Sequence, residues 1–189
     1  MKLFSKNLEE ENRKRLRGIL NKIPRLECPI GWEMATFAVG GLTEIGFSDK
    51  SESLLLAISS NGRGLFDCSK LERIDRDYSE EFEINYEEMT CIGIGQISGE
   101  KVRIAGLHGG GLPTTNKLGD SLEFMALDWP NLDFIFQPNW KSMYSERDID
   151  DCVNFLRTDT IKSYGFNKIG NCFVIATSSD LIIFKRKTV

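Results

Sequence analysis

The segment best suited to chemistry is His108-Gly109-Gly110-Gly111, which contains the only histidine of the chain. In this pattern glycines allow backbone N–H groups to converge on the oxyanion that develops during acyl transfer. A serine hydrolase of that kind also needs a Gly-x-Ser-x-Gly turn and a second histidine as general base, and the sequence has neither. The simpler interpretation is a glycine-rich loop at the end of a sheet, where replacing His108 would change stability little.

The residue types also allow three other kinds of site to be considered: a cysteine nucleophile, a phosphate-binding loop and a zinc site. A cysteine nucleophile would need Cys68 or Cys91 beside His108, but both lie at strand ends or in apolar stretches, where small buried thiols are usual. A phosphate loop at 109–115 lacks the Gly-Lys-Ser/Thr ending. One histidine among five dispersed cysteines does not form a zinc cluster. The sequence therefore predicts no enzymatic site and no cofactor; the alternative is a small enzyme or ligand-binding protein that uses the His108 loop.

Acidic residues concentrate in two segments. Between Glu72 and Glu88 eight acidic residues stand against two arginines, a local charge of −6, whereas the first 25 residues carry +5. Such separation can steer a basic partner, and the alternative is a solvated loop that maintains solubility. The acidic residues predicted to bind a partner are Asp75, Asp77, Glu80, Glu81, Glu83, Glu87, Glu88, Asp148, Asp150 and Asp151.

Three aromatic residues stand in turn-like settings after position 128. Trp129, Trp140 and Tyr144 lie among prolines and polar residues, a setting compatible with exposed anchors for a protein partner, and they are the predicted aromatic contacts. Capping the end of the sheet core is the slightly favoured role. Phe134 and Phe136 share one face of a predicted strand and are expected to be core residues.

The first element that must support these residues is an N-terminal helix. Apolar residues recur at helical spacing, and Pro24 ends the pattern. The apolar face carries no bulky aromatic, so a lid on the sheet is favoured over a membrane-surface helix. The predicted division is an amphipathic helix and linker over 1–27 and an antiparallel β domain over 28–189. The apolar positions are Leu8, Leu16, Ile19, Leu20 and Ile23.

From Trp32 onward the pattern is that of a meander. Predicted hairpins join 33–39 to 42–47 through Gly40-Gly41, and 54–59 to 64–68 through the Asn61-Gly62 turn. Residues 72–88 are predicted as a charged connection, 121–127 and 132–137 as strands, and 148–156 as one short helix. The expected fold is mainly β, an antiparallel meander or sandwich of hairpins with an N-terminal helix.

One segment of the sequence occurs twice. Residues 46–67 and 165–185 align from Gly46-Phe47 on Gly165-Phe166 to Ser59-Ser60 on Ser178-Ser179. Each copy is predicted to form a hairpin, with Phe47 and Phe166 in equivalent core positions. The copies resemble single blades of a WD-type β-propeller but lack its Gly-His and Trp-Asp signatures. A propeller needs about four blades or more, which 189 residues with an N-terminal helix can barely hold. A curved meander or sandwich of blade-like hairpins is therefore expected rather than a closed propeller.

Three phrases, SSNGRGLFDC, RIAGLHGGGLP and ATSSDL, resemble a group of uncharacterised bacterial proteins, some of them immunity-type. This resemblance implies no established activity.

Composition narrows the function classes further. A formal charge of −4 disfavours direct binding to nucleic acid or to an anionic membrane, and no apolar run spans a bilayer. Scattered cysteines and a charged N-terminal region predict reduced thiols in the cytoplasm. The predicted function is a non-enzymatic acidic protein of immunity type that neutralises a basic toxin domain such as a nuclease. A β-scaffold adaptor is a further alternative, and the sequence leaves the oligomeric state open.

Overall fold

The chain is mainly β, with antiparallel sheets and one N-terminal helix. The computed structural model describes residues 2–79 and 81–188. For residues 2–7 it describes the backbone alone. Helix α1 spans Lys2–Leu20. The strands are β1 Trp32–Ala38, β2 Leu42–Phe47, β3 Leu54–Ser59, β4 Gly62–Asp67, β5 Glu72–Asp77, β6 Ile84–Asn85, β7 Thr90–Ile92, β8 Lys101–Arg103, β9 Ala105–Gly106, β10 Ser121–Asp128, β11 Asn131–Gln137, β12 Val153–Thr158, β13 Ser163–Phe166, β14 Cys172–Ala176 and β15 Asp180–Arg186.

The chain divides into two compact units. One comprises Met1–Pro29 and Leu118–Asp159, and the other comprises Ile30–Lys117 and Thr160–Val189. This grouping places α1 with strands β10–β12, whereas the division predicted from the sequence separates residues 1–27 from residues 28–189. That division along the chain stays a prediction.

The first unit contains α1 and a sheet of order β10-β11-β12. Leu20 and Ile23, at and just after the end of α1, are buried in a cluster with the core residue Ile135 of β11. Leu16 and Ile19 are partly buried against that cluster. Leu8 is exposed, so only the C-terminal part of the predicted apolar face is covered.

The second unit holds both copies of the repeat. Copy one forms β2–β4 in a sheet of order β5-β4-β3-β2-β9, and copy two forms β13–β15 in a sheet of order β1-β15-β14-β13. Both sheets contribute to one core, in which Ala57 and Ala176 take matching places, as aligned. The two sheets thus form a sandwich, and a third sheet of order β6-β7-β8 belongs to the same unit.

The first strands of the two copies do not match. The turn after Phe47 is one residue longer than the turn after Phe166, and Phe47 pairs with Leu55 whereas Phe166 pairs with Phe173. A register change of one residue moves a side chain to the other face of a sheet. Phe47 therefore packs on the shared core, while Phe166 packs on Trp32 and Phe173, and the predicted equivalence is wrong.

Several local predictions are confirmed, and others are wrong. The Asn61-Gly62 hairpin forms, with Gly62 at a φ of 101°. The predicted hairpin over 33–47 does not form: β1 pairs with β15 in one sheet, whereas β2 pairs with β3 and β9 in another. The helix predicted over 148–156 is a short 3₁₀ turn at Ile149–Asp151 followed by β12. The charged connection contains the strands β5 and β6.

Candidate functional site

Two edge strands, β5 and β6, carry much of the acidic segment 72–88. Strands β5 and β6 are the outer strands of their sheets. Around β6 the side chains alternate: Phe82 and Ile84 pack on a buried cluster, and Glu81 and Glu83 are exposed. The apolar residues therefore hold the backbone while the glutamates point outward. Charged residues on an outer strand also discourage edge-to-edge pairing, which is their simplest role.

Some of the predicted acidic residues are engaged within the unit. Asp77 forms an ion pair with Arg63 at 2.5 Å, and its pKa is lowered by the backbone N–H of Ser79 and by Arg63. Glu88 pairs with Lys101. Asp75 is exposed on β5 and accepts a hydrogen bond from the backbone N–H of Arg76. Within residues 2–79 and 81–188, the exposed side chains of Glu81, Glu83 and Glu87 form no ion pair. Glu80 lies outside the described residues.

The second acidic cluster is largely neutralised. Asp148 is buried near Lys141 and Arg147, and Asp151 lies 3.0 Å from Lys141. Desolvation opposes ionisation of Asp148, yet contacts with Ser145 and Arg147 leave its pKa lowered overall. Asp150 and Asp151 are both exposed, and Asp150 forms no ion pair in the described residues. This cluster therefore acts mainly as part of the internal structure of its unit.

The three predicted aromatic anchors do not form one patch. Trp129, 81% exposed, lies in the turn between β10 and β11, whereas Trp140 follows the far end of β11. The paired length of this hairpin separates the two by about 20 Å. Trp140 is 79% exposed, and a Cβ placed on Gly119 would lie 2.3 Å from its ring, so one part of the ring is packed. Tyr144 is half exposed and donates a hydrogen bond to Glu123 at 2.7 Å.

The histidine of the glycine-rich loop has a buried carboxylate partner. Nδ1 of His108 lies 2.5 Å from Oε1 of Glu44, whose side chain is fully buried while that of His108 is 47% exposed. In the described part of the chain the other oxygen of Glu44, Oε2, has no hydrogen-bond partner. The ring of Tyr86 lies 4.7 Å from the imidazole. The loop therefore does more than cross the end of a sheet.

The strand register explains this placement. Glu44 pairs with Gly106 of β9 on one side and Ile58 of β3 on the other. A Cβ on Gly106 would lie 2.0 Å from the carbonyl oxygen of Thr43, so only glycine permits the close crossing. The chain leaves β9 at Gly106 and reaches His108 two residues later. The imidazole is thereby brought over the carboxylate.

A carboxylate that fixes a histidine through Nδ1 is the base–orienter pair of general acid–base catalysis. Burial raises the pKa of Cys91 and raises that of Cys68 well above its ordinary value, so neither thiol has thiolate character at neutral pH. No group of three or more His, Cys, Asp or Glu side chains in the described residues is arranged to hold a metal ion. The pair can accept or donate one proton at Nε2 or bind a polar ligand there.

Sequence reasoning found His108 but missed Glu44 and Tyr86. Glu44 lies between Thr43 and Ile45 in a strand pattern, and only the burial of both faces of β2 reveals that this acidic residue is interior. Tyr86 follows β6 in what was predicted as a solvated connection.

The chain matches no protein-family model and no curated protein sequence. In the described residues, no helix combines the length and the apolar character needed to cross a membrane.

Proposed function

We propose that this chain binds a basic protein stoichiometrically and performs no catalysis. The observation that carries the proposal is the acidic row, defined as exposed Glu81 and Glu83 beside β6 together with exposed Glu87 in the turn that follows, none of which forms an ion pair in the described residues. Unpaired carboxylates on one surface generate the negative potential that attracts and orients a basic partner.

The backbone of this row supports the same proposal. Phe82 and Ile84 anchor it to a buried cluster, and the guanidinium of Arg63 lies 4.8 Å from the centre of the Phe82 ring. A surface that is ordered before binding loses less conformational entropy on association than a flexible acidic tail. The glutamates are therefore suited to a defined partner, whereas a solubilising loop needs no such anchoring.

The most specific form of the proposal is an immunity-type protein. A toxin domain that cleaves nucleic acid carries a basic active-site surface, because its substrate is a polyanion. An acidic protein without catalytic groups can neutralise such a domain by covering that surface. The resemblance of three sequence phrases to bacterial proteins, some of immunity type, supports this form.

The test begins by searching the genes that neighbour this one for a toxin domain and then measures the association of that domain with this chain. Association should be fast at low ionic strength and slow markedly with salt, since exposed charges are screened beyond about 8–10 Å at physiological salt. Replacing Glu81, Glu83 and Glu87 together by lysine should lower the association rate about tenfold or more at low salt.

A matched control has the same charge change elsewhere. Replacing the exposed acids Glu10, Glu11 and Glu27 by lysine should alter the rate much less. Equal effects of the two triple variants would reduce the row to a solubilising surface. The absence of any toxin gene beside this gene would overturn the immunity form.

A second candidate, a small enzyme or ligand-binding protein, is favoured by the Glu44–His108 contact. It is tested by His108→Gln, which removes the proton-transfer group and leaves the acidic row intact. Loss of cellular function in a normally folded His108→Gln variant that still binds the toxin domain would favour this candidate over the first.

A further inference from the structure

A cavity of about 410 Å³ lies in the unit that holds both repeats. Phe47, Leu112, Pro113 and the buried Phe166 provide its apolar walls. Pockets of about 300–1,000 Å³ with apolar walls and a few polar groups are typical small-molecule sites. Neither the acidic row nor His108 lines this cavity.

The polar residues of the cavity favour an anion. Arg103 and Lys168 both line it, against the single carboxylate of Asp49. Arg103 lies 3.4 Å from both oxygens of Asp49, and the two side chains are 78% and 55% exposed. Such an exposed pair is weak, so the guanidinium can turn to a ligand at little cost. The side chain of Lys168 is exposed and forms no ion pair in the described residues.

The wall beside Phe47 is held in place by a buried carboxylate. Glu100 accepts hydrogen bonds from the hydroxyl of Ser48 and from the backbone N–H groups of Asp49 and Lys50, at 2.8 to 3.3 Å. The turn that carries Asp49 is therefore ordered by the interior of the unit.

The wall beside Phe166 is also fixed. The backbone N–H of Phe166 donates to the carbonyl oxygen of Pro113 at 2.7 Å. The side-chain oxygen of buried Asn167 accepts hydrogen bonds from the backbone N–H groups of Gly170 and Cys172. A site whose walls are already ordered loses little conformational entropy when it binds a ligand.

We propose that this cavity binds a small organic carboxylate with an aromatic or branched aliphatic body. The apolar body packs between Phe47 and Leu112, and the carboxylate meets Arg103 and Lys168. A single negative charge matches two cations beside one carboxylate, whereas the second charge of a phosphate monoester would be repelled by Asp49. This site goes beyond the protein-binding function, since its ligand is a small molecule and no residue of the acidic row lines the cavity.

The experiment is a titration of the full chain followed by backbone amide NMR. The probes are phenylacetate, its neutral counterpart 2-phenylethanol and the dianion phenyl phosphate. Phenylacetate should bind with a dissociation constant of about 1 mM, which is usual for a ligand of this size. Its shifts should concentrate on Asp49, Arg103, Gly111 and Lys168, and both other probes should bind about tenfold more weakly.

Two variants locate the site. Lys168→Gln should weaken phenylacetate binding about tenfold, the effect of losing one charge-assisted hydrogen bond. Gly111→Trp should weaken binding strongly, because Gly111 lines the cavity and a Cβ there meets no other atom, which leaves room for an indole at the cavity wall. The controls are Lys117→Gln, an exposed lysine of the same unit, and Gly40→Trp, where a Cβ also meets open space.

Equal binding of 2-phenylethanol and phenylacetate, or wild-type affinity in Lys168→Gln, would overturn the assignment to an anion. Undiminished binding of phenylacetate in Gly111→Trp, shifts spread over the whole surface, or no shift at about ten times the expected dissociation constant would overturn the site itself. Tighter binding of phenyl phosphate would replace the carboxylate with a phosphate ester and overturn the charge argument based on Asp49.

Discussion

Glu44 and Glu100 are two buried carboxylates in the same compact unit, and their partners differ in kind. Glu100 holds the turn after β2, where both of its oxygens accept hydrogen bonds from a hydroxyl and backbone N–H groups. Glu44 lies within β2, where one oxygen contacts His108 and the other has no partner in the described residues. A buried polar group without a partner is costly, and such groups occur where function requires them more often than elsewhere.

This difference in partners indicates that Glu100, rather than Glu44, stabilises the fold. Hydrogen bonds from the backbone cannot move away or lose their protons near neutral pH, so Glu100 is a fixed element of the turn. The partner of Glu44 is a half-exposed imidazole that can exchange protons and reach solvent. Removing the carboxylate of Glu100 should therefore lower the free energy of unfolding markedly. Removing that of Glu44 should change stability little and act mainly on the chemistry of His108.

The largest expected effect is that of Glu100→Gln. The new amide places a donor against the N–H groups and hydroxyl that now donate to the carboxylate, and at least one of these loses its acceptor. The free energy of unfolding should fall by about 3 kcal/mol, the cost of losing hydrogen bonds to a charged group. Urea unfolding measures this change. A loss under about 1 kcal/mol would mean that water replaces the carboxylate and that the turn is not held by Glu100.

His108→Ala should have the next largest effect. It leaves the carboxylate of Glu44 buried with no partner on either oxygen, and the exposed half of the imidazole allows water to offset part of the cost. A loss of about 2 kcal/mol in the free energy of unfolding is expected. This differs from the small effect predicted from the sequence, in which His108 only belonged to a loop. An unchanged unfolding midpoint would restore that interpretation.

Glu44→Gln should change stability by less than about 1 kcal/mol, because replacing a poorly paired buried charge by a neutral isostere is often neutral. The amide oxygen can still accept a hydrogen bond from Nδ1 of His108. In the Glu44→Gln background, His108→Ala should therefore cost less than in the wild type. A double-mutant cycle by urea unfolding measures this coupling. Additive effects would show that the short contact carries no energy.

Local signals allowed part of this fold to be predicted from the sequence. The Asn61-Gly62 turn predicts the β3–β4 hairpin because only a few residue pairs accept its backbone angles. The pairing of β1 with β15 joins opposite ends of the chain, and no local pattern near Trp32 distinguishes that partner from β2.

The candidate site was only half predictable for a similar reason. Alternation gives the face of a residue but not whether that face is covered. A register shift in the β2–β3 pairing places Leu42 and Ile45 in the sandwich core and Glu44 on the opposite face, which is also buried. The burial of Glu100 likewise depends on a turn about 50 residues away in sequence.

The smallest expected effect comes from a third carboxylate, Glu123, which is only partly buried. Its two oxygens accept hydrogen bonds from the hydroxyl of Tyr144 and the amide of Gln137. Burial, followed by the hydrogen bond and the charge of Glu123, raises the pKa of Tyr144 to about 12, from an ordinary value of 10.0. Because the folded state keeps this proton longer than the unfolded state, the stabilisation is fully present below pH 10 and is lost as the pH rises towards 12.

Tyr144→Phe should remove that pH dependence with little change at neutral pH. The side chain of Tyr144 is half exposed, and solvent screening should keep the loss well under 1 kcal/mol. The measurements are urea unfolding at pH 8 and pH 11 and the ultraviolet titration of the phenols, with Tyr86→Phe as the control for another half-exposed tyrosine of the chain. If Tyr144 titrated with an ordinary pKa, its contact with Glu123 would be a surface hydrogen bond of no energetic weight. The ranking of the three carboxylates by burial and partner would then hold only for the two interior ones.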